Sequence, residues 1–436
     1  MAPQEWRPSY DPDAADRATT RLVAQLALAA AGFQYMLTTV VSATLLVVAV
    51  LVPVVVPGVR RAVPTTRIWF ALLVVAFVSG WVLRADVPGR AGAGPSDLAW
   101  GQACVLLTGG AVFLLVLWAR SVLPLWRIGV SYGIGLFAAG ATTSAAFGPT
   151  GYKFFFAVPI AIITLSLADR WGSKAGTAAA AIALGLAGIL DNARSYLGFC
   201  VLTAVLLTWL AMRGSRRSRM NRWAPALLIV TAAGGVYWLA TFALTKGLLG
   251  ADLQTLSTTQ VDESGSLIVG GRPEWAGTLQ LMRVHPWGYG PDVLPSWTEV
   301  VEAKQGLASV GLNVVHNGYV DNYMFGDALR LHSVVADLWA EFGLAGLVLG
   351  LLSFGLVGAN LSRRLADRSI GGLAVFVSLN ALWVLAFGPI YTNWRDVCLA
   401  LGLLVPLGMT TAGAEADPGP AGSAAEVPRE VRPPAP

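Results

Sequence analysis

Long apolar stretches recur along the 436-residue chain, and each is close to the length that crosses a lipid bilayer as an α-helix. A spanning helix needs about 20 predominantly apolar residues, because the hydrocarbon core is roughly 30 Å thick. The candidates are Leu22–Thr38, Val40–Val56, Ile68–Leu83, Leu98–Ala119, Ile128–Phe147, Phe154–Ala168, Ala175–Leu190, Tyr196–Met212, Trp223–Leu244, Val334–Ala359, Leu373–Tyr391 and Trp394–Met409. The first two abut and are compatible with one bent segment, and residues 154–190 can be divided differently. The predicted count of twelve therefore carries a margin of about two.

The composition supports a membrane protein. Charged residues make up 13% of the chain, against about 25% in soluble globular domains, which excludes a cytosolic enzyme, a disordered protein and a nucleic-acid binder. The net charge of +5 comes with arginines clustered between apolar runs, a pattern typical of membrane surfaces. All three cysteines fall inside apolar runs, so no disulfide framework is expected.

The basic residues set the orientation and complete the predicted fold class, an all-α polytopic membrane protein. With both termini in the cytoplasm, two thirds of the 30 Lys and Arg residues fall on the cytoplasmic side, including the Arg213–Arg222 cluster. Half of the remainder lies in one long loop, which the positive-inside rule discounts. We predict a multi-pass protein of the cytoplasmic (inner) membrane. Residues 1–21 form a cytoplasmic tail without a cleavable signal, 22–410 the helical bundle, and 411–436 a disordered cytoplasmic tail.

An 87-residue loop, 245–331, separates the ninth and tenth stretches on the outer face. Loops this long are usually functional or disordered, and this one is too rich in Trp, Leu, Val and Tyr to be disordered. The segment Pro273–Val284 is predicted to be a short amphipathic helix, since Trp275, Leu279 and Met282 recur at helical spacing. It is either a lid that packs on the bundle or part of a functional site.

Two features favour a functional site: Arg272 with the turn that follows its helix, and the stretch that starts at His332. Arg272 precedes the amphipathic helix, where its guanidinium and the free N–H groups of the helix are expected to face the same anion. After the helix comes a turn of glycines and prolines, Pro286–Pro291, which fixes the path of the chain.

The tenth stretch opens with a histidine and then carries two acidic residues. His332 lies at the outer end of this stretch. Asp337 and Glu341 follow at a spacing of i,i+4, which puts both carboxylates on one helix face. Ionisable groups inside a membrane are costly and normally line a wet cavity. The alternative is that both carboxylates lie above the hydrocarbon and solvate the helix end.

Three blocks of residues, in this order along the chain, resemble the O-antigen ligase and polymerase superfamily of bacterial glycan assembly. The first block is Arg194-Ser195-Tyr196-Leu197-Gly198, at the start of the eighth stretch. The second block comprises Arg272, Trp275, Pro286, Gly288 and Gly290. The third comprises His332, Glu341, Gly343 and Gly346. The resemblance covers residues 194–346, and the helix count and the long outer loop agree with it.

One position departs from the family pattern. Ser333 follows the histidine where asparagine is common, and a His-Asn pair stands instead at His316-Asn317. Eleven residues beyond His316 is Asp327 rather than glycine, so the motif aligns on His332, with His316 as the rival histidine.

The resemblance implies a GT-C-like glycosyltransferase that transfers a glycan from a polyprenyl-diphosphate carrier to an acceptor hydroxyl on the outer face. The expected partners are the carrier-linked donor, a glycan, lipid or cell-wall acceptor, and membrane lipids, but no nucleic acid. Arg194 and Arg272 are expected to bind the diphosphate, and His332 to take the proton of the acceptor. Glu341 is expected to orient polar groups of the substrate. No cofactor and no metal are expected, since the one Asp-x-Asp spacing, Asp11–Asp13, lies in the cytoplasmic tail.

Several alternatives stay open at this stage. A polymerase has the same chemistry but adds repeat units to another carrier-linked chain; the single large outer loop favours the ligase type. A flippase for lipid-linked sugars needs the same diphosphate-binding arginines and could use the buried carboxylates for proton coupling. Taken alone, an arginine at a helix end such as Arg194 is most often an interfacial anchor, and Asp191 three residues earlier could pair with it.

Overall fold

A computed structural model describes residues 12–38, 40–60, 63–86, 96–213, 223–248 and 250–407. Over these ranges the chain is mainly α-helical, and an isolated β-bridge joins Met36 and Ser42. The bundle helices are α1 (Pro12–Phe33), α2 (Ala43–Arg60), α3 (Pro64–Ala85), α4 (Ser96–Val122), α5 (Leu125–Ala141), α6 (Ala157–Arg170), α7 (Lys174–Ile189), α8 (Arg194–Met212) and α9 (Trp223–Thr245). Then come α10 (Ala251–Ser264), α11 (Leu267–Gly271), α12 (Glu274–Val284), α13 (Trp297–Ala308), α14 (Val334–Ala366), α15 (Gly372–Phe387) and α16 (Ile390–Leu404). Short π-helical segments, Tyr152–Phe156 and Tyr319–Met324, precede α6 and α14.

Six of these helices are long and apolar enough to cross a membrane, which makes the chain a multi-pass membrane protein. They are α3, α4, α6 with its preceding π-turn, α8, α9 and α14. Shorter apolar helices of 10–17 residues occur at Ala43–Val56, α7 and α15. The predicted all-α membrane fold is confirmed at this level.

Each predicted apolar stretch overlaps an observed helix, although several boundaries differ and the eleventh stretch, Leu373–Tyr391, runs into the start of α16. The first two stretches form separate helices, because the chain turns through the bridged segment after α1. Helix α1 already begins at Pro12, inside the predicted tail, and α5 ends at Ala141, six residues before the predicted Phe147. Residues 1–11 and 408–436, with most of the predicted tails, and Gly214–Arg222 of the basic cluster lie outside the described residues.

Small residues let neighbouring helices approach closely. A Cβ on Gly32 of α1 would lie 2.1 Å from the carbonyl oxygen of Tyr132 in α5, and a Cβ on Gly135 would lie 2.0 Å from that of Ala29. The two glycines thus allow α1 and α5 to pack backbone to backbone, as is common between membrane helices.

Helix α14 bends sharply at Gly343, whose backbone angles (φ 66°, ψ −152°) are not helical. A Cβ on Gly346 would lie 1.9 Å from the carbonyl oxygen of Leu338, and a Cβ on Gly350 would lie 3.2 Å from Cα of Val335. In a straight helix residues 335 and 350 would be about 22 Å apart. The two limbs of α14 therefore fold back on each other, with glycines at their contact.

The bend divides the tenth predicted stretch into two limbs. The limb after the bend, residues 344–366, is about 34 Å long and can cross a bilayer by itself. The limb before it, residues 334–342, packs alongside the first turns of this crossing limb. The apolar pattern of the sequence does not reveal the bend, since apolar residues continue on both sides of Gly343.

The Gly/Pro turn of the outer loop docks on α14 beside this bend. The backbone N–H groups of Tyr289 and Gly290 donate to the carbonyl of Ala340 at 2.7 and 3.0 Å. Gly288 has a φ of 85°, and a Cβ at this position would lie 2.4 Å from the carbonyl oxygen of Trp339. Glycine is needed here for its backbone angle and for the close approach. The second and third sequence blocks are thus in direct contact.

Candidate functional site

Arg272 lies between the short helix α11 and helix α12 of the outer loop. Pro273 is the residue before α12 rather than its first residue. The buried face of α12 is formed by Glu274, Gly277, Thr278 and Leu281. This differs from the predicted apolar stripe: Leu279 is 52% exposed.

The reason for the different face is backbone packing against α13. A Cβ on Gly277 would lie 3.1 Å from Leu307, and one on Gly306 would lie 2.5 Å from the carbonyl oxygen of Ala276. From the predicted stripe, Trp275 turns to the bundle, where its Nε1 donates to the carbonyl of Ala386 at 2.6 Å. Helix α12 is thus held both to α13 and to the end of α15.

Three cationic side chains from distant parts of the chain converge near this helix. Arg272 lies within electrostatic range of Arg194, at the start of α8, and of Lys153, in the π-helical segment before α6. All three side chains are partly exposed. Within the described residues, none of them forms an ion pair with a carboxylate. Like charges held together in this way favour an anionic ligand.

The local contacts of Arg194 and Lys153 hold them in place without neutralising them. Arg194 donates to the hydroxyl of Ser257 on α10 at 3.3 Å. If Arg194 were only an anchor at a helix end, Asp191 would be expected to pair with it. Asp191 instead accepts the backbone N–H of Lys153 at 2.6 Å. The carboxylate is still within electrostatic range of the Lys153 ammonium, so the cluster keeps an excess of positive charge.

His332 adjoins the same cluster in a left-handed backbone conformation, with a φ of 53°. Burial and the nearby charge of Arg272 lower the pKa of His332 to about 4, from an ordinary 6.5. The imidazole is therefore neutral at neutral pH and able to accept a proton. The rival histidine, His316, is exposed and has no hydrogen bond or ion pair among the described residues.

Two stacked tyrosines and a buried glutamate form one wall beside His332. The hydroxyl of Tyr323 lies 3.1 Å from Nδ1 of His332, and its ring stacks on that of Tyr319 at 5.1 Å between centroids. Tyr319 in turn donates its hydroxyl to Oε1 of Glu274 at 2.5 Å. Burial raises the pKa values of Glu274 and of Tyr323.

The two carboxylates of α14 lie deeper in the protein. Asp337 is 1% exposed and accepts the backbone N–H groups of Leu331 at 2.8 Å and of Ile390 at 2.9 Å. It thereby ties the end of the outer loop to the start of α16. Glu341 is 4% exposed and accepts the hydroxyl of Tyr391 on Oε1, whereas its Oε2 has no hydrogen-bond partner among the residues that the structure describes.

The four predicted site residues are thus only partly brought together. Arg194, Arg272 and His332 share one cluster, whereas Glu341 has no contact with them among the described residues and lines a small cavity with Gln102 and Asp292. Its role as a substrate-binding residue stays a prediction.

The sequence interpretation did not single out Lys153, Tyr319 or Tyr323. The one sequence feature that could have drawn attention to Lys153 is that it is the cation at the outer end of the predicted stretch Phe154–Ala168. Nothing in the sequence indicates that it meets Arg272, which follows more than one hundred residues later.

In the described parts of the chain, no three His, Cys, Asp or Glu side chains form a group that could hold a metal ion. Comparison with known proteins gives no further indication, since no family model, curated protein or solved structure matches the chain.

Proposed function

We propose that the chain is a twelve-span, GT-C-like membrane glycosyltransferase of the O-antigen ligase type. It transfers a glycan from a polyprenyl-diphosphate carrier to an acceptor hydroxyl on the outer face of the cytoplasmic membrane. The observation that carries this proposal is the convergence of Lys153, Arg194 and Arg272 beside His332. Three cations without a carboxylate ion pair among the described residues suit a diphosphate, and the neutral imidazole suits an acceptor hydroxyl.

The orientation supports an outer site. The cluster lies where α8, α14 and α16 begin and where α7 and α15 end. The opposite end of the bundle carries Arg170, Arg363 and Arg364, as the positive-inside rule requires of the cytoplasmic side. The cluster therefore faces the side on which carrier-linked glycans are used.

The depth of the cluster also suits a lipid-linked donor. Helices α7 and α15 have 16 residues each and extend about 24 Å, less than the roughly 30 Å of hydrocarbon. The hydroxyl of Ser333 donates to Leu385, at the end of α15, at 2.9 Å. Because the shorter helix α15 ends beside this site, we expect the diphosphate of a membrane-embedded carrier to reach it, at a depth where charge interactions are stronger than in water.

The reaction is a single displacement at the anomeric carbon of the carrier-linked sugar. The acceptor oxygen forms a bond to this carbon, and the bond from the carbon to the phosphate oxygen breaks. The electron pair leaves with polyprenyl diphosphate, whose negative charge Lys153, Arg194 and Arg272 stabilise. The proton of the acceptor passes to His332 and from there to water.

Binding of the donor makes the imidazole of His332 a stronger base. In the free protein the positive charge of Arg272 opposes protonation of the imidazole. A diphosphate bound to Arg272 supplies negative charge close by and raises the basicity of His332 when it is needed. The same charge stabilises the imidazolium that forms during the transfer.

The test is release of free polyprenyl diphosphate by the purified protein in lipid nanodiscs, with a carrier-linked oligosaccharide and candidate acceptors. His332→Asn is the best variant, since asparagine tolerates the positive φ of this position but cannot take the proton. His316→Asn is the matched control, because His316 also has a positive φ, of 50°, and is exposed. We expect the first variant to lose about 10²- to 10⁴-fold in rate and the control to retain its activity.

Product sizes separate the two acceptor classes. A single transferred glycan per acceptor supports a ligase, and a ladder of repeat units supports a polymerase. Absence of release by the wild type with every acceptor would contradict the proposal, and transfer of the carrier between leaflets would then support a flippase.

A further inference from the structure

At the end of the bundle opposite His332, a second cavity of about 220 Å³ opens between five helices. It lies where α5, α7 and α15 begin and where α6 and α16 end. Its lining includes Trp126, Asp169 and Lys174, together with the apolar side chains of Leu125, Leu373 and Leu403. In the orientation proposed above, it faces the cytoplasmic leaflet.

One cationic side chain, Lys174, lines this cavity, and two more, Arg127 and Arg170, lie over the ring of Trp126 in its wall. Arg170 places its guanidinium carbon 4.8 Å from the ring centre of Trp126, and Arg127 does so at 5.2 Å. Lys174 donates from Nζ to the carbonyl of Ile370 at 2.6 Å, which leaves two of its three N–H donors for other acceptors.

The one carboxylate of the cavity is already occupied. Asp169 accepts the backbone N–H groups of Gly372 at 2.8 Å and of Leu373 at 3.0 Å, and so caps the start of α15. It forms no ion pair with Arg127, Arg170 or Lys174 in the part of the chain that the structure describes. The positive charge at the mouth is therefore available to an anion.

The remaining wall indicates what kind of anion fits. Leucine side chains line the cavity together with Lys174, and Trp126 is part of its wall; tryptophan is enriched at the boundary between headgroups and hydrocarbon. A free phosphate would gain nothing from the apolar wall. A lipid would place its phosphodiester against the cations and its glycerol and first methylenes against the leucines, and basic pockets between membrane helices bind anionic lipids in this way.

We propose that this cavity binds the headgroup of an anionic phospholipid from the cytoplasmic leaflet, with Lys174 and Arg170 as the principal phosphate contacts. The proposal depends on the orientation but not on the glycosyl transfer. The site lies at the far end of the bundle from His332, so the lipid is a bound structural component of the protein and not a substrate.

Native mass spectrometry of the full chain in detergent tests this proposal. Delipidated protein is titrated with phosphatidylglycerol and, separately, with zwitterionic phosphatidylcholine. We expect one phosphatidylglycerol to be retained more tightly than phosphatidylcholine. Arg170→Gln and Lys174→Gln should each weaken this retention about fivefold, and the double variant more.

Arg363→Gln is the matched control, since Arg363 lies at the same end of the bundle, is 67% exposed and pairs with Asp367 instead of facing the cavity. It should retain the lipid as the wild type does. Thermal unfolding in detergent without lipid verifies that all variants are folded.

Two results would overturn the proposal. Equal retention by the double variant and the wild type would show that the cavity is not the lipid site. Displacement of the lipid by inorganic phosphate at constant ionic strength would show that a free anion is the ligand. Failure of polyprenyl diphosphate release is a separate result, because it concerns the opposite end of the protein.

Discussion

The hydroxyl oxygen of Tyr323 lies 3.1 Å from Nδ1 of His332. In the reaction proposed above, this contact bears on which ring nitrogen accepts the proton of the acceptor. If Nδ1–H donates to the tyrosine oxygen, the lone pair of Nε2 remains free to act as the base. Tyr323 is therefore a positioning residue for His332, and the stack on Tyr319 holds it there.

Removing this hydroxyl should slow the transfer without weakening donor binding. We expect Tyr323→Phe to lower kcat by about 10- to 100-fold with KM for the donor nearly unchanged, because the imidazole loses its orientation but the cations remain. The measurement is steady-state release of polyprenyl diphosphate. A large increase in KM with an unchanged kcat would contradict a positioning role.

The pH dependence of the reaction should reflect the neighbourhood of His332 and Arg272. A pKa of about 4 for His332 predicts that kcat/KM stays high on lowering the pH to about 5 and falls near pH 4, as the base becomes protonated. In Arg272→Gln the opposing positive charge is gone, so the fall should move to higher pH. It should remain below 6.5, since burial is the larger cause of the shift. An unchanged profile in the variant would mean that another group titrates.

Lys153 should contribute to binding of the donor. Charged hydrogen bonds contribute about 1.5–3 kcal/mol, so Lys153→Gln should weaken donor affinity about 10- to 100-fold. Lys246→Gln is the control, since Lys246 is exposed at the end of α9. Affinity can be measured with a non-transferable diphosphate analogue. Equal effects of both substitutions would mean that Lys153 acts only through the general surface charge and not through a contact with the donor.

The bend of α14 should require glycine at Gly343. A Cβ here would lie 2.6 Å from the carbonyl oxygen of Trp287 and 2.7 Å from Leu83, and the backbone angles are unfavourable for any other residue. Gly343→Ala should therefore lower the free energy of unfolding by about 3 kcal/mol or more.

Gly355→Ala on the same helix is the control, because nothing lies within 4 Å of a Cβ at that position. It should stabilise by about 0.5–1 kcal/mol, since alanine favours a helix interior. Thermal unfolding in detergent compares the two variants. Similar free energies of unfolding for Gly343→Ala and Gly355→Ala would contradict the bend at Gly343.

Apolar periodicity by itself determined the helical class and most helix positions of this protein. Every predicted stretch overlaps an observed helix, because a chain in hydrocarbon must satisfy its backbone hydrogen bonds internally, and a helix does so with local residues alone. The sequence also placed Arg272 and His332 in or next to one long outer loop.

Only the tertiary structure decided which polar groups meet. Lys153 lies within electrostatic range of Arg272 because the starts of α6 and α8 and the outer loop converge at one end of the bundle, and Glu341 bonds to Tyr391 instead of joining this cluster. The bend at Gly343 was equally hidden. Local sequence patterns report the periodicity of a segment, whereas the approach of distant segments depends on whether small residues allow their backbones to touch, as Gly288, Gly346 and Gly350 do here.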